Sequence, residues 1–203
     1  MPEATVVFRE ELSLIKNSTI RDFVIDVINT MAPDYFWTCA ASTSGRYHPQ
    51  VSLGDGGLIR HTKLAVWWGI ELMRTEDWCQ DEHDVVIAAL ILHDLKKNGG
   101  KLVNGQATVK NCVNIHGTVL AEEIRTRKFP PGAEIPELLG MVLDGIAYHM
   151  GRWTCPDWKT SPPRSKDWQY NRMQNHIRRT VHLADYCASR RVDVKTMELN
   201  HAK

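Results

Sequence analysis

The amino-acid sequence predicts an all-α fold organised as a single compact domain. Apolar residues recur at helical spacing through most of the chain, and we find no convincing pair of strands, internal repeat or low-complexity tract. With 203 residues, 43% of them hydrophobic and 24% charged, the chain has the composition of an ordinary globular protein and can bury one sizeable core. We expect residues 1–45 to form an N-terminal helical extension packed on a core of residues 46–203.

The predicted helices follow one another with short connections. Asn17 or Ser18 interrupts the first helical stretch, because either side chain can cap a new helix, and Pro33 opens the next helix in its first turn. Residues 42–57, rich in Gly and Ser, are expected to be a loop, and residues 98–100 are expected to end a helix. The predicted helices cover residues 8–30, 34–42, 58–74, 82–95, 108–126, 135–149 and 170–190.

Charge and cysteine content limit the classes of partner. The formal net charge of +1 argues against a protein that coats long nucleic acid, which usually carries a basic surplus, but it permits a small basic pocket.

The five cysteines are widely spaced without a Cys-x-x-Cys pair, so we expect a reduced, cytoplasmic compartment. The N-terminus lacks a cleavable signal pattern, and the longest apolar run, Val85 to Leu92, is too short to span a bilayer. We therefore expect no membrane partner.

The adjacent pair His93-Asp94 ends a predicted helix that is apolar nearly all round. Burying an imidazole and a carboxylate unpaired would cost on the order of several kcal/mol. A bound cation would compensate, since both groups are good ligands for divalent transition metals. His61 and Asp185 also lie among apolar neighbours on predicted helices, where an unpaired polar group is equally costly. The alternative is that these four residues cap helices or pair with one another.

These residues and their surroundings resemble the HD-domain superfamily of metal-dependent phosphohydrolases. The signature of that family is a His, then a His-Asp pair, then a distant Asp. The matching phrases here are Gly-Gly-Leu-x-x-His-Thr at residues 56–62, Ala-x-x-Leu-His-Asp-Leu-x-Lys at 89–97 and Leu-Ala-Asp-Tyr at 183–186. The resemblance covers residues 46–191, and the nearest phrasing is that of the HD domain of a bacterial 3′→5′ exoribonuclease.

The resemblance implies a metal centre and a hydrolytic reaction. His61, His93, Asp94 and Asp185 would bind one ion, and His116 and His149 would bind a second with Asp94 as the bridge. Family members often have His-His-Gly where this chain has His149-Met150-Gly151, so we expect one or two ions, of Mn, Fe, Co, Ni or Zn. A metal-activated water would then attack phosphorus. The candidate catalytic residues are Asp94 and Lys97.

Basic residues next to the ligands are candidates for binding phosphate. They are Arg60, Lys96, Lys97 and Arg152. The two lysines are alternatively a solvated helix end that meets the helix macrodipole. His48 either lines the site or, like His83, His176, His182 and His201, lies on the surface or in a loop. The tryptophans of residues 153–168 form either a lid or plugs in the core.

Three functions remain open at this stage. The first is a phosphohydrolase that acts on a small phosphorylated substrate, a nucleotide or the 3′ end of a short oligonucleotide. The second is a di-iron oxygenase, a minority activity of the superfamily that uses all six ligands. The third is a non-catalytic regulatory module that binds a nucleotide. The basic residues beside the ligands favour the first.

Overall fold

The computed structural model describes residues 3–42, 48–97, 102–103, 106–107, 115–151 and 168–191, with backbone alone at 102–103, 106–107 and 168–175. The chain is all-α, as predicted. Its helices are α1 (Ala4–Val7), α2 (Arg9–Leu14), α3 (Ser18–Met31), α4 (Asp34–Thr38), a 3₁₀ helix (Gln50–Ser52), α5 (Gly57–Met73), α6 (Gln80–Leu92), α7 (His116–Lys128), α8 (Glu137–Tyr148) and α9 (Trp168–Ala188).

The sequence suggested no pair of strands, and the structure contains a very short one. Strands β1 (Leu102–Val103) and β2 (Gln106–Ala107) pair antiparallel. Two residues per strand are too few to produce the alternating pattern from which strands are predicted. The helix predicted over residues 108–126 corresponds to α7, which begins at His116, while residues 108–114 lie outside the described part.

Helix α6 forms the centre of the molecule. Its residues from Val85 to Leu92 are all nearly inaccessible to solvent, which confirms the prediction of a helix buried on most sides. It contacts α2 and α3 from the N-terminal part of the chain, and it also contacts α5, α8 and α9. Residues at the end of α6 therefore lie where several helices meet.

A buried carboxylate joins the N-terminal helices to α6. Asn17 caps α3, since its side chain accepts hydrogen bonds from the backbone N–H groups of Thr19 at 3.0 Å and Ile20 at 3.3 Å. The backbone N–H of Asn17 donates in turn to Asp84 of α6 at 2.6 Å. Gln80 donates to the other oxygen of Asp84 at 2.8 Å. Asp84 is thus satisfied although it is fully buried.

The described cysteines Cys39, Cys79 and Cys187 are free thiols. Within the described ranges, no helix combines the length and the apolar character needed to cross a membrane.

Candidate metal centre

Five helices converge on one buried cluster of imidazoles and carboxylates. His61 lies near the start of α5, the His93-Asp94 pair follows α6, His116 begins α7, His149 follows α8, and Asp185 lies in the last turn of α9. All are buried except Asp185, whose side chain is 14% exposed. The structure thus brings together the six side chains that the sequence suggested as ligands.

Four of these side chains form a first ligand group around His61. Its Nε2 atom lies 3.1 Å from Oδ1 of Asp185, 3.3 Å from Nε2 of His93 and 3.4 Å from Oδ2 of Asp94. Nε2 of His93 also lies 3.4 Å from Oδ2 of Asp94. Atoms about 2.1 Å from a shared ion in tetrahedral or octahedral positions are separated by roughly 3.0–3.4 Å. The donor set and its spacing therefore fit one divalent ion.

A second ligand group lies on the other side of Asp94. Oδ1 of Asp94 is 2.8 Å from Nε2 of His116 and 3.7 Å from Nε2 of His149. The Nε2 atoms of His116 and His149 are 2.9 Å apart. Among the described residues, the ligand atoms within each group lie within 4.8 Å of one another, and Asp94 belongs to both groups. One carboxylate can therefore serve two ions.

Backbone carbonyls orient two of the imidazoles. Nδ1 of His93 donates to the carbonyl of Leu90 at 2.6 Å, and Nδ1 of His149 donates to the carbonyl of Ile146 at 2.7 Å. Because a carbonyl only accepts, each Nδ1 carries a proton and Nε2 is the atom that faces the cluster; when the ring is neutral, this atom has a lone pair for a metal ion. This second hydrogen bond is typical of metal-binding histidines.

The two carboxylates of the cluster are held ionised. Burial alone would raise the pKa of Asp94, but the Lys97 ammonium, the His93 ring and a hydrogen bond from His116 hold that pKa well below its usual range. Burial likewise opposes ionisation of Asp185, and hydrogen bonds from His61 and His93 keep its pKa well below its usual range. Two ionised carboxylates in a buried cluster attract a cation.

One imidazole in each ligand group has a shifted pKa, and the two shifts are opposite in direction. Burial would lower the pKa of His93, but Asp94 and Asp185 raise that pKa to about 10. At His149, burial first, and then the rings of His116 and His93, lowers the pKa to about 3. His93 is therefore drawn toward the cationic form by the carboxylates, whereas His149 is neutral and ready to accept an ion near neutral pH.

The candidate phosphate-binding residues occupy different surroundings. Nζ of Lys97 lies 2.5 Å from Oδ2 of Asp94, directly against the cluster. Nζ of Lys96 pairs with Glu123 of α7 at 2.5 Å. Arg60 is exposed and donates to backbone carbonyls of the segment before α5. Arg152 and the tryptophan-rich residues 153–167 lie outside the described part of the chain.

Two further histidines contact the cluster: His48, which the sequence placed either at the site or on the surface, and His182, which it placed on the surface or in a loop. The ring of His48 meets the ring of His61 edge-on with 5.3 Å between centroids, and burial, then the charges of Lys97 and His61, lowers its pKa to about 4. Nδ1 of His182 donates to the carbonyl of His149 at 2.8 Å. The signal for His182 was its position three residues before Asp185, which places both on one face of α9. His48 lies outside any helix and had no such periodic signal.

One comparison with known proteins identifies a family for this chain. The family model described as HD domain matches residues 58–190, a range that includes all six side chains of the cluster. A search of curated proteins and a search of solved structures each gave no match.

Proposed function

The chain belongs to the HD domain family of metal-dependent phosphohydrolases, and we propose that it cleaves a phosphoester or phosphodiester bond. The proposed substrate is a small phosphorylated molecule, either a nucleotide or the 3′ end of a short oligonucleotide. The proposed compartment is the cytoplasm, with support from the free thiols of Cys39, Cys79 and Cys187.

The observation that carries this proposal is the position of Asp94 between two ligand groups. Oδ2 faces His61 and His93, and Oδ1 faces His116. A carboxylate that bridges two ions is suited to reactions in which an attacking and a leaving oxygen both need stabilisation.

Imidazole and carboxylate ligands together suit Mn, Fe, Co, Ni or Zn. When bound, such ions act as Lewis acids that lower the pKa of water and offset the charge on phosphoryl oxygens. The proposed ligands of the first ion are His61, His93, Asp94 and Asp185, and those of the second are Asp94, His116 and His149.

The chain's own residues prepare this centre in two ways. The hydrogen bonds to Leu90 and Ile146 hold the rings of His93 and His149 in a single orientation, so little reorganisation is needed. Burial excludes bulk water and strengthens every electrostatic interaction within the cluster. These features support binding of ions and of a charged substrate.

Lys97 is the proposed catalytic cation. Its ammonium lies against the shared carboxylate of Asp94, next to the place where a phosphoryl group would meet the ions. A fixed positive charge there stabilises the negative charge that develops on phosphoryl oxygens. Lys96 and Arg152 remain proposed contacts of more distant parts of the substrate, although Lys96 already pairs with Glu123. Arg60 remains a proposed part of the phosphate-binding region, but its Nε and Nη2 atoms already donate to the carbonyls of Val51 and Leu53.

The test is hydrolysis by purified protein after its bound metals have been measured. A generic phosphodiester, a phosphomonoester and a panel of nucleotides are supplied with Mn, Ni, Co or Mg. We expect metal-dependent release of product by the wild type and none by Asp94→Asn, which retains the side-chain volume. Absence of hydrolysis with every metal and substrate would refute the proposal, and nucleotide binding without turnover would instead indicate a regulatory module.

The complete set of six ligand residues also fits a di-iron oxygenase. The two functions differ in their requirements, because an oxygenase consumes oxygen and needs iron. Hydrolysis that proceeds with Mn under anaerobic conditions would exclude the oxygenase as the explanation of that activity. Oxygen uptake by the iron-loaded protein, without hydrolysis, would favour it.

A further inference from the structure

His48 has a polar side chain without a protein partner at the edge of the candidate metal centre. Both of its ring nitrogens are buried, and neither has a hydrogen-bond partner among the described residues. A buried donor and acceptor left unpaired cost free energy. The ring contacts that of His61 edge-on, with 5.3 Å between centroids. The natural partner of these nitrogens is therefore a group that binds at the centre.

The segment that carries His48, residues 48–53, is held against α5 by hydrogen bonds and close packing. Arg60 donates from Nε to the carbonyl of Val51 at 2.6 Å and from Nη2 to the carbonyl of Leu53 at 2.8 Å. At the start of α5, Gly57 allows a close approach, since a Cβ atom there would lie 2.4 Å from the carbonyl oxygen of Ser52. These contacts hold residues 51–53 against α5 and thereby restrict where His48, three residues earlier, can lie.

The surroundings of His48 indicate an anion rather than a metal ion as its ligand. Among the described residues, neither metal-ligand group includes it. The His48 ring lies against His61, whose Nε2 atom is 3.4 Å from Oδ2 of Asp94, and Nζ of Lys97 lies 2.5 Å from that same oxygen. Both carboxylates are engaged by the imidazoles of the cluster. An N–H donor and a lysine ammonium at one site form a combination that binds phosphate oxygens.

We propose that His48 contacts the substrate directly, donating a hydrogen bond from its ring to a phosphoryl oxygen beside Lys97. Arg60 is then a positioning residue, which acts by holding the segment that carries His48. This inference rests on the proposed phosphohydrolase function and deepens it, since it adds a residue outside the metal ligands to the phosphate-binding part of the site.

The test measures binding of inorganic phosphate to Mn²⁺-loaded protein by calorimetry, together with bound metal and thermal unfolding. His48→Phe keeps an aromatic ring against His61 but removes both nitrogens, and His48→Gln restores a donor. His83→Phe is the matched control, because His83 also makes an aromatic contact, with Trp78, and lies outside the ligand groups. We expect His48→Phe to bind phosphate at least about tenfold more weakly, as loss of a hydrogen bond to a charged group predicts.

The same variants are assayed with bis(p-nitrophenyl) phosphate. His48→Phe is expected to raise KM with unchanged metal content, His48→Gln to recover most of the loss, and His83→Phe to behave as the wild type. Phosphate binding by His48→Phe that equals the wild type would overturn the inference, and so would loss of metal from His48→Phe. A wild type that hydrolyses no ester but binds phosphate through His48 would refute the proposed function alone.

Arg60 is tested by a double-mutant cycle. Arg60→Met is expected to weaken phosphate binding in the wild type and to have little further effect in the His48→Phe background, because it acts through His48. An undiminished effect of Arg60→Met in that background would overturn the positioning role.

Discussion

Oδ1 of Asp94 lies 2.8 Å from Nε2 of His116, so the carboxylate that follows α6 meets the first residue of α7. The other oxygen, Oδ2, faces His61 and His93 at 3.4 Å each. This single carboxylate joins two ligand groups that are formed from five helices. Its removal is expected to affect both groups at once, whereas removal of other ligands affects one.

Asp94→Asn is expected to abolish binding of both metal ions, because a neutral amide neither bridges two cations nor balances their charge. The measurement is metal content per chain after reconstitution and desalting. Asp84→Asn is the matched control, since Asp84 is an equally buried carboxylate of α6 that bonds to Asn17 and Gln80 instead. It is expected to lose about 1–3 kcal/mol of stability and to keep its metals. Full metal content in Asp94→Asn would contradict the shared role.

His149→Ala is expected to remove the second ion and leave the first. His149 belongs only to the group of Asp94 and His116. Bound metal should fall by half, and activity should fall with it, while thermal unfolding still responds to added metal through the first site. If His149→Ala bound as much metal per chain as the wild type, or bound none, the assignment of His149 to the second ion alone would be wrong.

Gly117→Ala is expected to destabilise the protein, by about 1–3 kcal/mol for overpacking. A Cβ atom at Gly117 would lie 2.4 Å from the carbonyl oxygen of Ile146 and 2.7 Å from the ring of His149. The control Gly140→Ala lies in α8, where a Cβ atom would meet no atom of the described residues within 4 Å, apart from its chain neighbours and the backbone of its own helix. Alanine is the better helix former, so this control should gain up to about 1 kcal/mol. Chemical denaturation measures both variants, and equal stabilities would contradict the close packing of α7 on α8.

Asn17→Ala is expected to lower the free energy of unfolding by about 1 kcal/mol, because two backbone N–H groups at the start of α3 lose their acceptor. Asn17→Ser should recover most of that stability. Metal content should stay at the wild-type value in both variants, since Asn17 contacts α6 through Asp84, at the opposite end from the cluster. Loss of metal from Asn17→Ala would contradict the expectation that Asn17 contributes to stability but not to metal binding.

The sequence was informative where a pattern extended over several turns. The apolar run of α6 predicted its burial, and that expectation is confirmed. Helix α7 begins at His116, whereas the start predicted from helical spacing, residue 108, lies outside the described residues; periodicity alone does not mark the residue at which a helix begins. The strands β1 and β2 are too short to leave a pattern.

The motifs identified the cluster residues and some of their neighbours as candidates, but not how those neighbours are arranged. Arg60 and His61 are adjacent in sequence, yet successive helical residues point about 100° apart, and Arg60 reaches the carbonyls of Val51 and Leu53. His48 approaches His61 through a loop, a tertiary contact that periodicity does not encode. The contacts of Arg60 and His48 depend on packing between segments that are separate in sequence, so they are visible only in the structure.

The most direct test of this account is a titration of metal-free protein with Mn²⁺ while hydrolysis of bis(p-nitrophenyl) phosphate is followed without oxygen. Two ligand groups share Asp94, so the rate should rise until about two ions per chain are bound and then reach a plateau. Asp94→Asn should show no rise. No hydrolysis by the wild type at any Mn²⁺ concentration, or an equal rate in Asp94→Asn, would contradict the account.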